Sequence, residues 1–157
     1  MMVQEVEING EGSVAREKVL VQLVSQVCRV HKVVNEMGGE VAARHDLFVG
    51  ELDVVNLLGR TPGLRMGDVA HRLSISPPNA TRIVKQLEEK RLVWRSRAEN
   101  SDREVIARLT DEGFSVHERC SPQIVGEAKA LFDTALSPEE QSVLLSLLQK
   151  LDGCSPI

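Results

Sequence analysis

Met66-Gly67-Asp68-Val69-Ala70-His71-Arg72-Leu73-Ser74-Ile75-Ser76-Pro77-Pro78-Asn79-Ala80-Thr81-Arg82-Ile83 contains two short helical patterns separated by a break. Val69, Leu73, Ile75, Ala80 and Ile83 fall where a helix-turn-helix needs apolar posts, and Ala70 is small enough to let two helices cross closely. Ser74 takes the turn position, where Gly is common. Pro77 suits a first helical position, because the N–H it lacks would have no partner there, and Ser76 precedes it as N-cap. The spacing predicts one helix over Met66–Leu73 and a second from Pro77 to about Lys90. The outward start of the second helix then carries Ser76, Pro78, Asn79, Thr81, Arg82 and Lys85. These residue types suit a DNA groove: Asn reads adenine, Thr meets a thymine methyl, and Arg forks onto guanine or a phosphate.

Working outward, the period changes after this pair. Leu92–Arg97 and Arg103–Leu109 alternate as strands around the polar stretch Ala98-Glu99-Asn100-Ser101-Asp102, which predicts a hairpin. Arg95, Arg97 and Arg103 flank its tip, and a basic ribbon of this kind reaches into a narrow, negative minor groove. Upstream, Leu20, Leu23, Val24, Val27, Cys28, His31 and Val34 follow helical spacing over about Ser13–Met37, with Gly38-Gly39 as the expected stop. A further helix is expected over Asp46–Leu58, capped by Gly59, before the turn Thr61-Pro62-Gly63. Downstream, Thr110 caps a long helix reaching about Thr134, in which Pro122 should introduce a kink. Ser137-Pro138-Glu139-Glu140 is a capping box that launches a last helix to about Leu151. The expected fold is mainly α: a winged helix-turn-helix with a two-stranded β-wing, and N- and C-terminal helices that form a dimerisation region. Its domains are a flexible tail (1–13), a helical dimerisation region (14–46 and 111–151), a winged lobe (47–110) and a C-terminal tail (152–157).

Composition agrees. The chain has 157 residues, 42% hydrophobic and 27% charged, which fits a folded domain with a core of its own and excludes a wholly disordered chain. Aromatic residues make up only 3%, so aliphatic side chains must fill that core. The net charge of −4 conceals an asymmetry: Arg60–Arg108 carries eleven Lys and Arg against six Asp and Glu, and the remainder eight against seventeen. A basic middle between acidic flanks is the footprint of a nucleic-acid surface on a body that points elsewhere. Without a signal peptide or a long apolar span, the chain is expected in the cytoplasm. Cys28, Cys120 and Cys154 are too scattered for a disulfide framework. No nucleophile elbow, phosphate-binding glycine loop or HExxH motif is present, so an enzyme is not expected.

These segments resemble the MarR family of bacterial transcription regulators. The resemblance rests on Glu51–Leu58, Met66–Leu73, Ser76–Glu88, Leu92-Val93, Asp102-Arg103 and Leu109-Thr110-Asp111-Glu112-Gly113, and it spans roughly Val14–Leu151. Ser101 stands where the family usually places an Asp two residues before its wing Arg, here Arg103. Membership implies a homodimer joined through the first and last helices. It also implies two winged helices on a pseudo-palindromic double-stranded operator, with half-sites about 10 bp apart or a multiple. The implied function is a ligand-responsive transcription regulator, most simply a repressor; the alternative is a winged-helix protein-interaction module that has lost DNA binding. Retention of Thr81, Arg82, Lys85 and the three wing arginines favours the first.

The family alters operator binding through a small molecule, an oxidant or a metal. Cys28 and His31 stand three apart in the first long helix, and His117 and Cys120 three apart in the fifth, with His45 between them in sequence. Cys28, His31, His117 and Cys120 have the chemistry to complete a tetrahedral site for zinc or another divalent metal. The plainer reading makes the cysteines small core residues and the histidines the lining of an effector pocket. No cofactor is expected for folding. Cys154, in the tail, has no neighbour that suggests a role.

Overall fold

In the computed structural model, residues 10–98 and 101–153 are described, the side chains of 10–13, 98 and 101–103 excepted. Among them are six helices and one antiparallel sheet of three strands. In chain order they run α1 (Gly10–Ala43), α2 (Val49–Gly59), β1 (Leu64–Arg65), α3 (Met66–Arg72), α4 (Pro77–Glu89), β2 (Val93–Ala98), β3 (Ser101–Leu109), α5 (Asp111–Ala135) and α6 (Pro138–Asp152). The sheet order is β1-β3-β2. The chain divides into two compact units within α1, Met1–Met37 and Gly38–Ile157.

The first unit is the N-terminal part of α1. Leu20, Leu23, Val24, Val27 and Val30 are each more than half exposed in the single chain, and Val33 is 45% exposed.

The second unit is built around one core. Val41 and Ala42 at the end of α1, Leu52, Val55 and Leu58 of α2, Val69 and Ala70 of α3, and Ala80, Ile83, Val84 and Leu87 of α4 are all buried. Val93 and Ala107 of the sheet and Val116 and Cys120 of α5 join them. The expected stop at Gly38-Gly39 is corrected: α1 runs through both glycines to Ala43. A helical glycine costs about 1 kcal/mol. Beyond them Val41 and Ala42 are fully buried, and that burial offsets the cost.

Two further boundaries differ. α2 begins at Val49 rather than Asp46, because Asp46 has φ 56 and stands in the left-handed region. The Glu51 carboxylate accepts from the Phe48 N–H at 2.9 Å and so caps the start. Gly59 is the last helical residue, with Arg60 as the cap. The wing also has a third strand. β1 is two residues long, too short for alternation to reveal, and pairs Leu64 with Ala107 and Arg65 with Ile106.

Elsewhere the local chemistry works as its residues predict. Ser74 has φ 51, the left-handed turn between α3 and α4. Thr110 caps α5 by accepting from the Gly113 N–H at 3.0 Å while donating to the Arg91 carbonyl at 2.7 Å. Gly113 is needed for a steric reason: a Cβ there would collide with the Leu92 carbonyl oxygen. Ser137 and Glu140 form the reciprocal capping box of α6. Pro122 lies inside α5, which continues to Ala135.

Candidate nucleic-acid interface

α4 has two faces. Ala80, Ile83, Val84 and Leu87 are at most 5% exposed and anchor the helix in the core. Ser76, Pro78, Thr81, Arg82 and Lys85 are exposed on the other side, and Asn79 and Gln86 are half-buried beside them. Ser76 stands at the N-cap, though its hydroxyl makes no capping bond, and Pro77 and Pro78 open the helix. Thr81 donates its hydroxyl back to the Pro77 carbonyl at 3.0 Å. Arg82 is held on both sides: one guanidinium nitrogen donates to Asn79 Oδ1 at 2.8 Å and the other to Gln86 Oε1 at 3.0 Å.

The hairpin lies against the far end of this helix. Arg95 on β2 pairs with Glu88 of α4, Nη2 at 2.6 Å and Nε at 2.8 Å from the same carboxylate oxygen. The wing is thereby tied to α4 by a charge-assisted bond. Arg97 is exposed on the same strand. The Arg103 backbone belongs to β3, but its side chain lies outside those described, and so do Cys154 and the hairpin tip at 99–100. On the other face of the hairpin Arg108 stacks 5.2 Å above the ring of Trp94 and donates to Ser96 Oγ at 2.7 Å. Sequence reasoning passed over Gln86, Glu88 and Arg108. Their partners sit four to fourteen residues away, but nothing in a sequence says which rotamers meet.

A protein-family model of the MarR family matches residues 49–105, which run from the start of α2 into β3. Over 110 residues the chain is 29% identical to the homoprotocatechuate degradative operon repressor of Escherichia coli, covering 70% of this chain and 74% of that one. Over this segment the chain matches the MarR family. Solved structures of the family share its fold. A MarR family regulator from Streptomyces coelicolor in complex with DNA superimposes with a TM-score of 0.79 at 24% identity, covering 86% of this chain and 91% of that one. CouR from Rhodococcus jostii, bound to p-coumaroyl-CoA, gives 0.74 at 18% identity over 84% and 92%. MarR relatives are transcription regulators, and none of these is an enzyme.

The residues proposed to sense an effector fall in different places. Cys28 and His31 belong to the first unit; Cys28 is exposed, and the His31 ring shares a hydrogen bond of 2.8 Å with the Asn35 amide. His45, His117 and Cys120 belong to the second unit. His45 lines a cavity of about 390 Å³ with Leu47, Lys90, Val116 and Arg119, and its buried Nε2 has no hydrogen-bond partner. His117 sits where α5 meets α2. Its Nδ1 is 3.1 Å from Asn56 Oδ1, Phe114 is edge-on at 6.0 Å, and the ring occupies the space a Cβ on Gly59 would need. Burial, helped by the Arg60 guanidinium and opposed by Glu118, holds its pKa below the usual imidazole value. Cys120 is fully buried, and burial pushes its thiol up despite Arg119, which disfavours the reactive thiolate. Among the described residues, no three or more His, Cys, Asp and Glu side chains gather in a group able to hold a metal ion.

One further charged contact ties α4 to the start of α2. Lys90, its C-cap, donates to Glu51 Oε2 at 2.8 Å and to the Asp46 carbonyl at 2.7 Å. Glu51 is 1% exposed, and its other carboxylate oxygen has no partner. A charge buried in this way is costly if its one counterion is lost.

Proposed function

We propose that the protein is a homodimeric, sequence-specific repressor that binds a pseudo-palindromic operator in the cytoplasm and releases it in response to a small molecule. The observation that carries this reading is α4: a fully anchored helix whose free face presents Asn79, Thr81, Arg82 and Lys85, with a basic hairpin tied to its end through Arg95 and Glu88. Helix 4 enters the major groove, and Arg97 and Arg103 on the wing reach the neighbouring backbone or minor groove. The dimer forms through residues 14–46 and 111–151, whose exposed apolar side chains need a partner. The winged lobe spans 47–110.

The effector acts where α5 meets α2, close to His117 and Cys120 and to the cavity beside His45. This joint leads to the wing through Leu109 and Thr110, so a ligand that favours one packing of α5 on α2 tilts the winged lobe. A small tilt misaligns two helices that must fit grooves a fixed distance apart, and about 1–3 kcal/mol of differential binding is a typical coupling. Cys28→Ser and Cys120→Ser, compared with wild type, separate an oxidant or metal response from a small-molecule one.

Selection of bound duplexes from a random pool tests the reading. The full-length protein should enrich an inverted repeat. Arg82→Ala should lose about 1–3 kcal/mol and relax the preferred sequence. Arg103→Ala should weaken all duplexes alike and lower the salt slope by about one. A pool that shows no enrichment leaves the protein-interaction module as the function.

A further inference from the structure

We propose that the stripe formed by Asn79, Arg82 and Gln86 makes α4 a reader of guanine, with Asn79 and Gln86 acting as positioning residues that aim the Arg82 guanidinium. The inference rests on the reading that α4 enters the major groove, and it adds which base edge the helix is built to accept.

The argument is one of donors and acceptors. A guanidinium carries five N–H donors and no acceptor. Each amide that meets it must therefore turn its oxygen inward and its NH2 outward. Both amides do so: Asn79 Oδ1 and Gln86 Oε1 accept from the two terminal nitrogens of Arg82, at 2.8 Å and 3.0 Å. Asn and Gln read adenine by accepting from N6 and donating to N7 at the same time. With their oxygens turned toward the guanidinium, these two side chains offer chiefly their NH2 donors to the groove. Arg82 keeps its Nε–H and one hydrogen on each terminal nitrogen. Lys85, next to it and exposed, is also a pure donor. Thr81 has directed its hydroxyl hydrogen to the Pro77 carbonyl, which leaves its methyl group for a thymine or a sugar.

A surface whose outward groups are chiefly donors favours guanine over the other bases, thymine offering only the single acceptor O4. Guanine alone presents two neighbouring acceptors, N7 and O6, in the major groove. Adenine places its N6 amino group beside N7, and cytosine places its N4 amino group there; both would face donor to donor. The double anchor also fixes the guanidinium before DNA arrives, so less side-chain freedom is lost on binding. Asn79, which its residue type alone would assign to adenine, is thus redirected by its neighbour.

The test uses full-length protein and the duplexes enriched from a random pool. Position by position, the base whose preference disappears in Arg82→Ala marks the Arg82 contact. Guanine is expected there. Replacing it with 7-deazaguanine, which lacks the N7 acceptor, should weaken binding about ten-fold. Inosine, which keeps N7 and O6, should bind as guanine does. Gln86→Leu should keep the thermal midpoint of the wild type while lowering the guanine-over-adenine ratio several-fold. Gln86→Glu retains an acceptor for Arg82 and should keep that ratio even as its negative charge weakens all binding. Adenine at the Arg82-dependent position would overturn the inference while leaving α4 as the DNA-reading helix. So would a guanine-over-adenine ratio unchanged in Gln86→Leu. If wild-type protein enriches no sequence at all, the DNA-binding reading fails and takes this inference with it.

Discussion

α4 and α6 are amphipathic helices of similar length in the same unit, and their apolar stripes meet opposite fates. In α4, Ala80, Ile83, Val84 and Leu87 are all at most 5% exposed. In α6, Val143, Leu145, Leu147, Leu148 and Leu151 are between 46% and 62% exposed, and no residue of the helix is buried. Apolar periodicity is clearer in α4 than in α6, but it does not say what covers either helix. The difference is what covers them: α4 lies on α2, α3 and the sheet, whereas α6 is left open by its own chain. A stripe of five large aliphatic residues open to water needs a partner. One helix thus serves the fold of the chain, and the other carries the face on which the proposed dimer rests.

Truncating each stripe should separate the two roles, with the largest effect in α4. Leu87→Ala should lose about 2–5 kcal/mol of unfolding free energy, because the site is fully buried and a cavity remains. That loss should be the same at every protein concentration. Leu147→Ala should instead change how steeply the unfolding midpoint depends on concentration, since its cost falls on association. Urea unfolding at two widely separated concentrations distinguishes them, and an equal, concentration-independent loss in both variants would break the comparison.

Next in size is the charge that fastens α4 to α2. Lys90→Met strands the Glu51 carboxylate among apolar neighbours and should cost about 2–4 kcal/mol, somewhat below a fully buried pair because Lys90 is partly exposed. Glu51→Gln should cost less, since an amide oxygen still accepts from the Phe48 N–H. Combining both changes should recover part of the loss of Lys90→Met. Thermal denaturation of the three variants is the check; strict additivity would mean the two side chains are not coupled.

Two of the crowded glycines, Gly59 and Gly113, sharpen the comparison further. Gly59→Ala pushes a methyl into the His117 ring and should cost about 1–3 kcal/mol. His117→Ala in the same chain should restore most of that, because the obstacle is a side chain. Gly113→Ala meets the Leu92 carbonyl, which is backbone, so no such rescue exists for it. Rescue of Gly113→Ala by truncating a neighbouring side chain would show that α5 approaches β2 differently.

Much of this architecture is legible in the residues, and what is not has physical reasons. Pro77 marks the start of α4, Thr110 that of α5, and Ser137 with Glu140 that of α6, because such signals act within one turn of the chain; Ser76 holds the N-cap position of α4 without a capping bond. The run of α1 through Gly38-Gly39 is hidden, since it is the burial of Val41 and Ala42 in a core made elsewhere that holds those turns. β1 is hidden because two residues carry no period. At the candidate interface, residue type alone singles out Asn79, Thr81, Arg82 and Lys85, which α4 turns away from its buried face. The clasp of Asn79 and Gln86 on Arg82 depends on rotamers. His117 meets Gly59 across a sequence separation that no local pattern spans.

The smallest predicted effect is a pH dependence at the α2–α5 joint. His117 titrates near 6.5 when unfolded and lower when folded, so the unfolded chain takes up the proton first. Its contribution to stability is therefore complete above about pH 6.5 and declines as pH falls toward the folded-state value. His117→Gln, which keeps a polar group facing Asn56, should flatten that part of the stability profile. A profile that instead rises below pH 6.5 in the wild type alone would reverse the sign.

The open stripes of α1 and α6 lead to one measurement above the rest: sedimentation equilibrium of the full chain at micromolar concentration. The account predicts a mass about twice the 17.3 kDa of the single chain, shifting toward the monomer when Leu147 and Leu151 are both replaced by Ala. A well-folded species of 17.3 kDa that does not associate as concentration rises would contradict it, and would remove the two-fold arrangement of recognition helices along with it.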